Sequence, residues 1–442
     1  MTVAEIRTIK VDYLARVEGE GALYIKMNGD VAEEVRLQIF EPPRFFEGFL
    51  RGRDHAEAPD ITARICGICP VAYQMSACHA IEDALGVTLP PALRQLRRLL
   101  YCGEWVESHA LHMFLLHAPD FLGFQDAMSM AKEHKGWVQK GLSIKKAGNA
   151  LVTLLGGREI HPINVRIGGF YRVPPASELR ALLPQITQAL EDAEESVRWM
   201  AGFDFPSLER DYELVCLSHP DEYPFNEGRL ISNKGLDIDV HDYLEHFEEQ
   251  HQAHSTALHS IIKARGAYLC GPLARLNLGF DKLGQRAQRA AREIALTPPI
   301  MNPFRSLLAR GIELVQVLDE AKATLEAFRP GGSTHGHFKP PIVDAVEAPV
   351  RGGTGHGCTE APRGILYHRY TLNAQGLIED ALIIPPTSQN QKSIEDDLRQ
   401  LAPQLAAMND EDATWRAEQA VRNYDPCISC STHFLRLEIE GR

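Results

Sequence analysis

Two stretches decide how this chain is read: Arg64-Ile-Cys-Gly-Ile-Cys-Pro70 near its start and Asp425-Pro-Cys-Ile-Ser-Cys430 near its end. Each sets two cysteines three positions apart among turn-forming residues, so each pair can aim two sulfurs at one point. Four converging thiolates restrict a metal to zinc, iron, nickel or copper, because hard cations prefer oxygen ligands. A structural zinc site with four cysteine ligands is one reading. Zinc ribbons and fingers, however, place their two knuckles a few tens of residues apart. Here nearly the whole chain lies between Cys69 and Cys427. A thiolate site buried between terminal segments points towards catalysis.

Outward from these pairs, the 442 residues are 44% hydrophobic and 24% charged, which excludes a fibrous or wholly disordered chain. Lys and Arg number 46 against 59 Asp and Glu, and a net charge of −13 repels a phosphate backbone, so no nucleic-acid partner is expected. No apolar stretch approaches the roughly 18 residues that span a bilayer, and the opening MTVAEIRTIKVDYLARVEGEG carries charges where a signal peptide needs its apolar region. The expectation is a cytoplasmic protein. The other cysteines, Cys78, Cys102, Cys216, Cys270 and Cys358, are scattered singly, so reduced thiols are expected.

The runs IRTIKVDYL, GALYIKM and EVRLQIF suggest a small antiparallel sheet in the first forty residues. Apolar residues then recur at three and four spacing over Ala92–His117, Ala127–Leu155, Ala176–Met200, Val240–Tyr268, Lys282–Leu296 and Pro303–Phe328, which predicts five or six long helices. Gly364–Pro386 alternates around an Asn-Ala-Gln-Gly turn and reads as a hairpin, followed by two short helices before the last cysteines. The fold class is therefore α+β and mainly helical, with a central bundle of long helices and small peripheral sheets. No linker marks a clean boundary, and 1–442 reads as one intertwined unit: a β-rich part over 1–60, a helical core over 61–345, and a hairpin with a metal-binding segment over 346–442.

RICGICP at 64–70 and DPCISCSTH at 425–433 resemble the two signature segments of nickel-iron hydrogenase large subunits. Supporting segments fall in that family's order: RVEGEG at 16–21, EGFLRGRD at 47–54, HALHMFLLHAPD at 109–120, GGREIHPINVRIGG at 156–169 and EAPRG at 360–364. Pro70 after the first pair and PTSQN at 386–390 most resemble the cytoplasmic, pyridine-nucleotide-linked branch that includes the sulfhydrogenases.

This resemblance implies reversible heterolytic cleavage of dihydrogen, which needs an electrophilic metal and a nearby base. It implies that Cys66 and Cys427 are terminal nickel ligands, while Cys69 and Cys430 bridge nickel to an iron carrying cyanide and carbon monoxide. Glu18 is implied to relay the proton. Arg363 is implied to sit over the open face of the metals, paired with Asp425, which can also cap the turn at Pro426. Thr387 and Ser388 match positions that donate hydrogen bonds to a cyanide, although turn or capping roles are as ordinary for these residues. Glu47, nineteen residues before Cys66, and His433 match the side-chain ligands of a second, magnesium or iron, ion. A carboxylate, an imidazole, a carbonyl and waters suit a hard octahedral cation. His109, His112, His117 and His161 read as core residues instead.

Two departures touch the surroundings of the metals: Tyr73 stands where many members carry histidine, and Ser108 where aspartate is usual. A third is FLRLEIEGR after His433, a segment usually removed by a maturation protease once nickel is inserted. The expected precursor would lose it, whereas a branch that retains it could use the alternating LRLEIE as an edge strand.

No GxGxxG follows a strand, RGGTGHG at 351–357 lacks the dinucleotide spacing, and no P-loop lysine motif or cluster-binding cysteine run occurs. NAD(P), flavin and iron-sulfur clusters are thus expected outside this chain, on an iron-sulfur small subunit and a flavin-containing NAD(P) reductase. The alternatives are a non-catalytic dihydrogen sensor of the same fold, recognisable by signalling partners, and the zinc-stabilised scaffold. The related quinone-reducing subunit of respiratory complexes lacks the four cysteines.

Overall fold

The structure is a computed structural model that describes residues 6–327 and 345–432. Strands β1 (Ile6–Val11), β2 (Gly21–Asn28) and β3 (Val31–Ile39) form an antiparallel sheet, as the first three runs predict. Its alternate residues Ile9, Leu23, Ile25, Val35 and Leu37 are buried in the principal core, the signature of a sheet wet on one face only.

Helix α1 (Pro70–Leu85) leaves directly from the first cysteine pair. Pro70 suits its first turn, where a missing N–H costs nothing, and Gly86 ends it in the left-handed conformation, φ 67°. Helix α2 (Pro91–Ala110) continues into a π-helical stretch, Leu111–His117, and helix α3 (Ala127–Gly156) packs beside it after an Asp126–Ser129 capping box. Helix α4 (Leu183–Met200) packs against α3, and helix α5 (Ser306–Ala327) packs against α2 and α4 to complete the bundle. Among the described residues, no helix is long and apolar enough to cross a membrane.

One predicted helix is wrong. Within 240–268 only Tyr243–His246 is α-helical, and the rest is a hairpin of β4 (Phe247–Gln252) and β5 (Ser255–Ile262). The three-and-four spacing of Val240, Tyr243, Leu244 and Phe247 imitates a helix. Burial decides otherwise, because Phe247, Ile262 and Tyr268 fill a second core with Tyr367 and Ile384 that only paired strands can complete.

The predicted C-terminal hairpin is present as β7 (Gly364–Leu372) and β8 (Ile378–Ile384), but an unforeseen strand, β6 (Gly353–Ala361), pairs with β7 and makes a three-stranded sheet. This strand begins in the glycine-rich RGGTGHG. Its glycines serve packing: a Cβ on Gly355 would fall 2.0 Å from the Ala80 carbonyl oxygen, and one on Gly357 would fall 2.4 Å from that of Ser76. Only glycine lets the sheet lie this close to α1. Of the two final helices, α6 (Pro386–Ala406) is long and α7 (Asp410–Arg422) shorter; α7 delivers the chain to the second cysteine pair.

Candidate metal centre

All nine cysteines are buried free thiols, but only Cys66, Cys69, Cys427 and Cys430 converge, with every sulfur within 4.8 Å of the others. The Sγ–Sγ distances are 3.4 Å for Cys66–Cys427, 3.8 Å for Cys69–Cys430 and 2.8 Å for Cys427–Cys430. The Cys66 sulfur also accepts hydrogen bonds from the amides of Ile68, 3.2 Å, and Cys69, 3.3 Å. Hydrogen bonds from Cys427, then Cys430 and Cys69, hold Cys66 well below the usual thiol range, while burial pushes Cys427 and Cys430 up. Negative charge therefore gathers on Cys66. A cation with affinity for sulfur would draw the remaining protons off.

Glu18 meets the second pair through backbone and side chain together. Its carbonyl accepts from the Ile428 amide at 2.9 Å, and its carboxylate lies 3.0 Å from the Cys427 sulfur and 3.1 Å from the Ser429 amide. Gly19 makes this approach possible. It adopts φ +89°, and a Cβ there would fall 2.7 Å from the Ile428 Cβ and from Glu41 Oε2.

Arg363 is buried beside the four sulfurs. Its Nε donates to the Asp425 carbonyl at 2.6 Å and lies 3.1 Å from Asp425 Oδ2, while Nη2 donates to Oδ1 at 3.2 Å. Asp425 thus meets Arg363 with main chain and side chain, at a left-handed φ of 52°. Burial pushes the Asp425 carboxyl above its ordinary value despite the guanidinium. The Arg363 Nη1 has no hydrogen-bond partner among the described residues. An apolar cavity lined by Leu269, Pro272, Leu273, Pro303 and Tyr424 reaches this arginine.

Thr387 and Ser388 are buried in the first turn of α6. The Thr387 hydroxyl accepts the Cys427 amide at 3.0 Å, which leaves its own hydrogen to donate. The positive end of the helix faces the second cysteine pair. Tyr73 lies beside the bridging positions, its phenol pushed well up by burial and by Cys430 and Cys69. Ser108 is buried on α2. Glu47 accepts the Ile383 amide at 2.8 Å, whereas His433 lies outside the described residues, as does the segment after it.

Of the four histidines expected in the core, His109 bonds Glu313 at 2.9 Å, His112 the Arg422 carbonyl at 2.8 Å, and His161 the Ala63 carbonyl at 2.7 Å. His117 stands 4.0 Å from Asp120.

Three residues were missed. Arg44 donates to the carbonyls of Ile65, 2.7 Å, and Ser429, and so ties the two cysteine segments together. Glu104 accepts the amides of Val71, 2.6 Å, and Ala72, 3.1 Å, and fixes the start of α1 just after Cys69. Asp120 accepts from Arg422 through both oxygens, 2.8 Å each, and from Arg16 at 2.6 Å, which anchors RVEGEG to the helix preceding Cys427. A carboxylate inside the apolar run YCGEWV was the available signal for Glu104. Nothing in the sequence paired Arg44 with Ser429.

Comparison with known proteins agrees with this geometry. A family model described as nickel-dependent hydrogenase matches residues 44–149 and 264–433. Sulfhydrogenase 2 subunit alpha of Pyrococcus furiosus is 35% identical over 97% of this chain and 100% of its own length. The NAD-reducing hydrogenase HoxS subunit beta of Cupriavidus necator is 27% identical over 97% and 95%. A solved NAD+-reducing [NiFe]-hydrogenase in the H2-reduced state superimposes with a TM-score of 0.84 at 28% identity, covering 97% of this chain and all of that one. A chain alike from end to end to such subunits, and matched by that model over more than half its length, belongs to the nickel-dependent hydrogenase family, as a nickel-iron large subunit.

Proposed function

We propose that Cys66, Cys69, Cys427 and Cys430 would together hold a nickel-iron centre at which this chain cleaves and forms dihydrogen. The carrying observation is the convergence of four buried sulfurs from the two ends of the chain, with a carboxylate 3.0 Å from one of them. The donor set fits: the sulfurs are soft, enclosed and within bridging distance, and the unpartnered Arg363 Nη1 suits an anionic ligand such as cyanide on the iron, with carbon monoxide as the third kind of ligand. When bound, the centre supplies the electrophile that polarises dihydrogen and takes up its electron pair.

The chain's own residues do the rest. The Cys427 sulfur takes the proton, and Glu18 receives it across 3.0 Å. Ser429 orients Glu18 through its amide, and its hydroxyl donates to Glu41 at 2.9 Å, nearer the surface. Arg363, held by Asp425, presents fixed positive charge to the substrate and to the anionic ligands, and Thr387 and Ser388 offer hydroxyls to a cyanide. The apolar cavity at Arg363 suits a small apolar substrate. Glu47, with His433, would hold a magnesium or iron ion.

Electrons leave through an iron-sulfur small subunit to a flavin-containing NAD(P) reductase in the cytoplasm. The sulfhydrogenase and NAD-reducing relatives support that coupling. The deciding experiment is elemental analysis of the purified chain with Cys427→Ser as control. One nickel and at least one iron in the native protein, with nickel lost and dihydrogen turnover abolished in the variant, is the expected result. One zinc without nickel would instead establish the scaffold reading.

A further inference from the structure

A second group of ligating side chains lies away from the four cysteines. His254, His259 and Glu395 place one potential donor atom each within 4.8 Å of one another. His254 Nε2 is 2.8 Å from Glu395 Oε1, and the two imidazole rings are 5.7 Å apart, edge to face. Glu395 is buried on α6 and fixed by the Leu37 amide, 3.0 Å, from β3. Arg399 is 3.9 Å from its other oxygen but turns outward to pair with Asp396 at 2.8 Å.

The hydrogen bond between His254 and Glu395 accounts for two of the three. It does not account for His259, which is 1% exposed and has neither ring nitrogen in hydrogen-bonding geometry, although Gln391 approaches it. A buried polar side chain without a partner requires a reason. The backbone points the same way. His254 stands in the turn that joins β4 to β5, and His259 on β5 itself. Between the pairs Ser255–Gln252 and His259–Gln250, β5 uses four residues where β4 uses two, and across this irregularity both rings come to Glu395. Strand irregularities of this kind commonly re-aim a side chain at a functional site.

We propose that His254, His259 and Glu395 bind a divalent transition ion, best zinc, independently of the nickel-iron centre. Two imidazole nitrogens and one carboxylate oxygen form the three-protein-ligand set of a tetrahedral zinc site, and His254, whose side chain is 18% exposed, leaves the fourth position to water. Zinc replaces the proton shared by His254 and Glu395 and gives His259 its missing partner. It fastens the β4–β5 hairpin to α6, the helix whose first turn carries Thr387.

The test uses the full-length chain, native and as His259→Gln, with His254→Gln as a second variant at the less buried position. Each is incubated with Zn2+, desalted and assayed for zinc by mass spectrometry. The four cysteines are common to all three proteins, so differences count the histidine site alone. The native chain should retain one zinc more than either variant, and its thermal midpoint should rise with zinc while theirs do not. With Co2+, the native-minus-variant spectrum should show visible bands without thiolate charge transfer. Equal zinc in the native chain and His254→Gln, or thiolate charge transfer in that difference spectrum, would overturn the proposal.

Discussion

The Glu18 carboxylate and the Cys427 sulfur lie 3.0 Å apart, although 409 positions separate them in the chain. A parallel backbone bridge between the same two residues fixes the distance, so the carboxylate is held by main chain and not by chance rotamers. Proton transfer demands this placement more than it demands any particular pKa.

Glu18→Gln keeps the shape and can still accept the Ser429 amide, but an amide does not carry a proton at neutral pH. Dihydrogen–deuterium exchange should fall about 10²- to 10⁴-fold with nickel and iron contents unchanged. Unchanged exchange would remove Glu18 from the route.

Asp120→Asn neutralises a carboxylate that faces the buried guanidinium of Arg422 and the partly buried one of Arg16. Leaving buried charges uncompensated costs about 3–5 kcal/mol. The variant should unfold at lower denaturant and load less nickel, because Arg16 is two residues from Glu18 and Arg422 five from Cys427. Native-like stability would show that Asp120 is not an anchor.

Acid should destabilise the bundle through His109 and Glu313. Burial pulls His109 down to about 4; burial also pushes Glu313 up, but Arg275 overcomes this and holds it at about 2. For both groups the folded pKa is the lower one, so below about pH 6.5 the unfolded chain binds more protons and stability falls as pH falls. His109 alone contributes on the order of 3 kcal/mol across pH 6.5 to 4. Chemical denaturation at several pH values should show this slope, and His109→Gln should flatten it.

The segment after His433 gives a prediction of mass. If it keeps the second cysteine pair open until nickel is inserted, active protein should end at His433. Intact mass spectrometry of an active, nickel-replete preparation decides the matter: full length with full activity would show that cleavage is dispensable.

Much of this was legible in the sequence because its signals are local. Cysteines three apart and alternation around Asn-Ala-Gln-Gly each act within a few residues, and the structure places their elements as expected. The failures lie where distant partners decide. Residues 240–268 spell a helix until Tyr367 and Ile384 supply a core that only strands complete. RGGTGHG carries no strand alternation of its own, and α1 supplies the surface its glycines fit. Arg44 carries no motif, and Asp120 ends the segment HALHMFLLHAPD without naming its partners; their roles exist only once both ends of the chain have met.

That meeting has a consequence for biosynthesis. Cys66 and Cys427 stand 361 positions apart, so the thiolate pocket closes a loop of most of the chain. Holding such a loop shut costs an unliganded chain about 5 kcal/mol of entropy, by the logarithmic rule for loop closure. During translation, only two of the four sulfurs exist until Cys427 and Cys430 have been added. A chain that stops short of Cys427 therefore presents one cysteine pair and no pocket, and a metal that requires all four sulfurs distinguishes chains that reach the second pair from those that do not.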